Sequence, residues 1–332
     1  MGNQLLRVLK QAAKIALALS ILFFLGRYIY LRWQEVASAE FSIRVVPATL
    51  ALGVLLFFYA LYFRSWRNLL LWLSSRAKGI PWENLNRAFF LSFVLRYLPA
   101  GKILNIGSRI ELLRQESLDV GLGATSVYYE QIYLAGGALL LAWIAHLTHP
   151  FRGVPSWLAG NPLPILAAGP LLAMGLLLLP DALLGLAMRV LRVATPSRSS
   201  FGLTLGRRGE LLFRFLLANL AQGVAAYLFL WSIYPGLPLG SDLISAVIAA
   251  YPLSRLIGQT AAVVPGGLGV REGIFVVLLG NYMPVGPVLL GGAVMRLGSV
   301  GVELAAVGLA TILVRHRTRR GKAHSQESDP DL

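Results

Sequence analysis

Residues 263–272 read Val-Val-Pro-Gly-Gly-Leu-Gly-Val-Arg-Glu and lie between apolar segments at 243–262 and 273–279. Hydrocarbon offers no water to a broken backbone, so Pro265, Gly266, Gly267 and Gly269 must be shielded by protein or face an aqueous cavity. Arg271 and Glu272 are costly at such depth and mark a pathway or a site. Upstream, Tyr251, Arg255 and Gln259 share one helix face, and Pro252 frees a backbone carbonyl beside them. A guanidinium donates two parallel hydrogen bonds to a phosphate and is not neutralised, so Arg255 and Arg271 are candidates to clamp a phosphodiester. The competing use of Arg255 is an ion pair with Glu272 or Glu130.

Other ionisable residues fall inside apolar stretches. Gly123, Ser126, Glu130, Tyr133 and Gly137 repeat at helical spacing, which suits either a cavity lining or a carboxylate paired for folding. Arg296 and Glu303 are seven residues apart, on one side of the last long helix and about two turns distant. They can bind substrate, couple to protons or belong to a structural ion-pair network. Gly298, Gly301, Ala305 and Gly308 cluster on the opposite side, as a packing surface would. Asn219 and Gln222 suit interhelical hydrogen bonds or a headgroup.

Catalytic chemistry has little to stand on. Cysteine is absent, which removes thiolate nucleophiles and Cys-ligated metals. His146 and His149 have helical spacing but no nearby carboxylate, so no metal site is expected. The glycines at 265–269 lack the Lys-Ser/Thr of a nucleotide loop, and no cofactor is implied.

The elements that must position these residues are transmembrane. Of the 332 residues, 56% are hydrophobic and 14% charged, and the mean hydropathy is +0.67. Several apolar runs approach the ~20 residues a spanning helix needs. The chain is therefore an all-α polytopic membrane protein of six to eight helices, in one domain over 1–314 with a basic, polar cytoplasmic tail at 315–332. The net charge of +15 comes from basic residues that punctuate apolar segments. This fits positive-inside sorting and anionic headgroups better than nucleic acid.

Spans are expected at 15–31, 45–63, 121–145, 162–179, 211–233 and 285–314. The first looks like an uncleaved helix, because Arg27, Arg32 and Glu35 separate it from the cleavage-like Ala37-Ser38-Ala39. The basic loops put both termini in the cytoplasm. Residues 88–98 are too short to cross and stop at Pro99-Ala100-Gly101-Lys102, which suggests a re-entrant hairpin. Residues 242–282 either cross twice or form a second hairpin entering from outside. The second reading makes inverted halves, 1–160 and 161–314, with broken helices meeting near the midplane as in transporters.

The 265–272 motif, with Arg96-Tyr97-Leu98-Pro99 and Arg109 upstream, resembles the membrane region of lysylphosphatidylglycerol synthases, a family with many stand-alone flippase-like members. The likeness runs from about residue 15 to 314. It implies moving or presenting a lipid-linked headgroup at the cytoplasmic membrane of a bacterium or archaeon. The soluble aminoacyltransferase domain of the full-length synthases is not in the sequence, so aminoacyl transfer is not expected. Expected lipid-binding residues are Arg96, Arg109, Glu130, Arg255, Pro265, Gly266, Gly267, Gly269, Arg271, Glu272, Arg296 and Glu303. The half-helix N-termini after Gly101 and Gly269 would add free N–H groups.

The leading expectation is a lipid flippase for an anionic phospholipid or a polyprenyl-phosphate-linked, aminoacyl- or glycosyl-bearing lipid. Its alternatives are a non-transporting scaffold that presents lipid to a separate glycosyl- or aminoacyltransferase, a membrane-embedded transferase with Glu130 or Glu272 as general base, and a solute permease. Glycine-rich helix faces allow a homo-oligomer.

Overall fold

The computed structural model describes residues 42–97, 101–152, 162–190, 202–260 and 269–327, together with Arg27, Tyr30 and Gly267. The first span, at 15–31, lies outside them apart from Arg27 and Tyr30, as do Pro265 and Gly266.

The described residues form ten helices and no strand: α1 Val45–Leu73, α2 Trp82–Leu95, α3 Gly101–Gln115, α4 Val120–Thr148, α5 Pro162–Leu178, α6 Pro180–Val190, α7 Leu205–Ile233, α8 Ser241–Thr260, α9 Val270–Leu279 and α10 Val285–Glu327. A short 3-10 turn, Ser75–Gly79, follows α1. Local chemistry sets several starts. The Asp119 carboxylate accepts the amides of Gly121 (2.8 Å) and Leu122 (3.3 Å) at the head of α4. Thr204 does the same for Arg207 (3.4 Å) at the head of α7.

Four helices are long and apolar enough to cross a membrane: α1, α4, α7 and the 285–312 part of α10. They expose apolar side chains such as Leu50, Phe57, Leu304 and Leu309, which in water would be a liability and in lipid is a matched surface. The chain is thus a multi-pass helical membrane protein. α5 is shorter, 17 residues with Pro170 inside, and is continued by α6.

Two helical hairpins fill the space between the long helices. In the first, Ser92 on α2 faces Asn105 and Arg109 on α3. In the second, Tyr251 and Gly258 on α8 face Phe275 and Arg271 on α9, so the arms run antiparallel. The ten residues of α9 rise only about 15 Å, half the hydrocarbon thickness. The expectation of two full crossings over 242–282 fails on that length, and the hairpin stands.

The packing is reciprocal. α2 lies on α10 and α8 lies on α4, while the second arms α3 and α9 lie on α4 and α10. α1 and α7 run against each other through the middle. Tyr62 sits at their junction, its ring edge-on to Phe89 (5.1 Å) and Phe215 (5.7 Å).

One expectation about α10 needs correction. Gly298 packs beneath Phe229 and Leu55, but Gly301, Ala305 and Gly308 are exposed and the first and last meet nothing within 4 Å. The small-residue side of α10 is therefore mostly an outer face, because its charged side takes the interior. Beyond the apolar 285–312 part, α10 continues as helix through the basic, polar segment to Glu327.

Candidate functional site

Helix ends that meet at close range bring the charges together. A side chain at Gly101 would strike the Arg96 carbonyl at 2.0 Å, so the first hairpin closes only with glycine there. At the second tip, Gly267 has φ +67° and its missing Cβ would lie 2.5 Å from the Gly258 carbonyl. Both the left-handed backbone and the close approach demand glycine. These contacts direct Arg96, Lys102, Arg255 and Arg271 toward one space.

That space is a cavity of about 950 Å³ between atoms, part of it open to the surroundings. Arg96, Lys102, Arg255, Arg271 and Arg296 line it, with Gln131, Gln222, Asn105, Gln259 and Ser299, and with the rings of Phe58, Tyr59, Tyr62, Phe93 and Tyr97. Among the described residues no lining residue is acidic. The carboxylates sit behind the wall, each held by an arginine. Glu303, fully buried on α10, accepts from Arg96 of α2 and from Tyr59 of α1. Its other oxygen accepts from Tyr97 at 3.2 Å. Glu272 on α9 accepts from Arg296 of α10 at 2.7 Å. Glu130 on α4 accepts from Arg109 of α3 and Tyr62 of α1, and neither Glu130 nor Arg109 lines the cavity.

Arg255 and Arg271 are set differently. Arg255 is 6% exposed; one Nη donates to Asn219 Oδ1 at 2.9 Å, and its Nε has no partner among the described residues. Its guanidinium lies over Phe58 at 5.5 Å. Arg271 stacks on Tyr251 at 4.2 Å and leaves one Nη without a partner. Among the described residues no carboxylate forms a salt bridge to either. The alternative use of Arg255, pairing with Glu272 or Glu130, is not what the fold does: Arg296 and Arg109 already hold those carboxylates.

The residues singled out in the sequence therefore divide. Arg96, Arg255, Gly267, Arg271 and Arg296 reach the cavity wall. Arg109, Glu130, Glu272 and Glu303 form the supporting ion pairs. Gly269, at φ +80°, caps α9, and Pro265 and Gly266 lie outside the described residues. The free N–H groups expected at the head of α9 are partly spent, since the Gly269 amide donates to the Glu272 carboxylate at 2.8 Å. Of the two readings of the α4 face, a cavity lining or a carboxylate paired for folding, the fold takes the second: Glu130 pairs with Arg109, and the rest of the face packs. Gly123 abuts Ile110, Gly137 abuts the α7 backbone at Phe215, and Tyr133 donates to the Leu176 carbonyl at 3.0 Å.

Tyr59, Tyr62 and Lys102 were not foreseen. The signal for the tyrosines was a hydroxyl pair at i, i+3 inside the otherwise apolar 50–63 stretch of α1. Asn219 does bond across helices, its Nδ2 donating to the Leu134 carbonyl at 3.0 Å, whereas Gln222 is on the cavity wall with its Oε1 unpartnered. His146 is accounted for locally, its Nδ1 accepting the Phe151 amide at 3.1 Å. Among the described residues no group of His, Asp and Glu is arranged to hold a metal.

A cation-lined pocket, sealed by buried ion pairs inside a helical bundle, can bind an anionic group and align it beside apolar surroundings. No curated protein matches the chain significantly. The profile of one family matches residues 11–316, nearly the whole length. On that match the chain belongs to the lysylphosphatidylglycerol synthase TM region family.

Proposed function

We propose that this protein binds the phosphate of an anionic lipid headgroup in the cavity between its two hairpins and moves that headgroup across the cytoplasmic membrane. The observation that carries the proposal is the buried Arg255, without a carboxylate partner among the described residues, beside Arg271 on a cavity wall whose described residues include no acid. A buried guanidinium without a carboxylate is costly, and a ligand phosphate offsets that cost through charge-assisted hydrogen bonds. Membership of a lipid-handling family supports the same substrate class.

In this reading Arg255 and Arg271 grip the phosphate, while Arg96 and Arg296, oriented by Glu303 and Glu272, flank it. The aromatic rings shelter the glycerol or prenyl end, and the acyl chains remain in lipid. Movement follows from rocking of the parts joined by α1 and α7, with the hairpins carrying the site. The protein is a transporter rather than an enzyme in this proposal: the carboxylates that could act as bases are each engaged by arginine and sit behind the wall.

The test is translocation of a fluorescent phospholipid in vesicles reconstituted with purified protein. Arg271→Gln is expected to slow it by roughly tenfold or more, the size of one lost charge-assisted contact, while purification yield and helicity stay native. Equal rates in native protein, Arg271→Gln and empty vesicles would refute transport, and the scaffold that presents lipid to a separate transferase would take its place.

A further inference from the structure

The charges around the cavity do not balance, and the imbalance bears on the ligand. Five cations reach the wall; Glu303 neutralises Arg96 and Glu272 neutralises Arg296, which leaves Lys102, Arg255 and Arg271 without a carboxylate partner among the described residues. The sequence at 98–100 and 261–266, between the arms of the two hairpins, contains no ionisable residue. One phosphodiester supplies a single negative charge. A phosphomonoester has its second pKa near 6 and carries close to two at neutral pH.

The wall also lacks what a cationic headgroup would need. Among the described residues no carboxylate lines the cavity to receive an ammonium. Aromatic rings can hold cations, but here Phe58 lies under Arg255, Phe93 under Arg96, and Tyr97 under Arg96 and Arg296. An incoming ammonium would meet guanidinium groups already on those faces.

We infer that the cavity selects a terminal phosphate bearing about two negative charges, a phosphomonoester or pyrophosphate, over a phosphodiester and over a headgroup carrying an added ammonium. This rests on the lipid-phosphate reading above and narrows it. Lys102, Arg255 and Arg271 set the selectivity, because they are the cations whose charge the protein leaves unmatched. The same chemistry exists on a lipid or as a free anion, and the site should take the lipid, whose chains the apolar surroundings accept.

Delipidated protein would be offered an equal mixture of phosphatidic acid, phosphatidylglycerol and lysylphosphatidylglycerol, and the retained lipid quantified. Phosphatidic acid is expected to be enriched roughly tenfold over either competitor, the factor for one further charge-assisted contact. Arg271→Gln should reduce that preference to near parity. Lys102→Gln, on a half-buried side chain, should weaken it too and guards against an Arg255 or Arg271 variant that fails to fold. Arginine-dependent retention of phosphatidylglycerol or lysylphosphatidylglycerol at or above phosphatidic acid would overturn this inference and leave the proposed lipid site standing. Retention unaffected by either substitution would overturn both. Thermal protection by inorganic pyrophosphate alone, with no phosphatidic acid retained, would uphold the dianion and overturn the lipid as its source.

Discussion

In the first hairpin Arg109 on α3 reaches across to Glu130 on the following long helix; in the second the polarity is reversed, and Glu272 on α9 accepts from Arg296 on its following long helix. Both pairs are buried, yet their consequences differ. Arg109 is swallowed whole, packed against Phe89 (4.6 Å) and Phe93 (5.0 Å), and neither it nor Glu130 reaches the cavity. Using a carboxylate in the second hairpin instead keeps Arg296 on the wall and leaves the adjacent Arg271 uncommitted. The first hairpin spends its deepest charge on holding the fold. The second spends a carboxylate there and presents cations. Similar geometry can thus be structural on one side of a bundle and receptive on the other, depending on which partner supplies the positive charge.

Breaking the first pair should have the largest effect. Arg109→Ala strands Glu130 in a fully buried position, and losing one partner of a buried pair costs about 3–5 kcal/mol. The expected result is a strong drop in thermal stability of the solubilised protein, partly restored when Glu130→Gln is added. A native melting curve for Arg109→Ala would erase the contrast with Arg271, whose replacement is expected to cost transport and spare the fold.

Gly267→Ala is an intermediate test of the second hairpin alone. A side chain there meets left-handed backbone, worth about 1–2 kcal/mol, and the Gly258 carbonyl besides. Melting should fall modestly and lipid retention further, because the tip sets where Arg271 lies. Unchanged retention would mean that the cation site does not depend on tip geometry. At the small end is Arg152→Gln. Arg152 bonds Asp242 at 2.6 Å and stacks on Tyr282 at 5.0 Å, but more than half of its side chain is exposed. Exposed pairs contribute little, so neither melting nor lipid retention should change measurably.

Much of this was legible in the sequence. Apolar runs long enough to span, with basic residues between them, fix a polytopic helical protein, since no other arrangement satisfies the backbone in lipid. The Pro-Gly-Gly break beside Arg271 and Glu272 located the second hairpin, because such a sequence is tolerated only near protein or water. Helical periodicity likewise put Arg296 and Glu303 on one side of α10.

Periodicity says which residues share a face and nothing about what that face meets. Glu303 turns to Arg96 and Tyr59, which are 207 and 244 residues away, while Arg296 turns to Glu272 on another helix. Gln222 and Asn219 lie one turn apart and look equivalent in sequence; one binds a neighbouring helix and the other faces the cavity. The composition alone determined that this chain lives in a membrane and carries excess positive charge. The tertiary structure decided which of those charges are cancelled, because only the docking of helices distant in sequence brings a particular carboxylate within reach of a particular guanidinium.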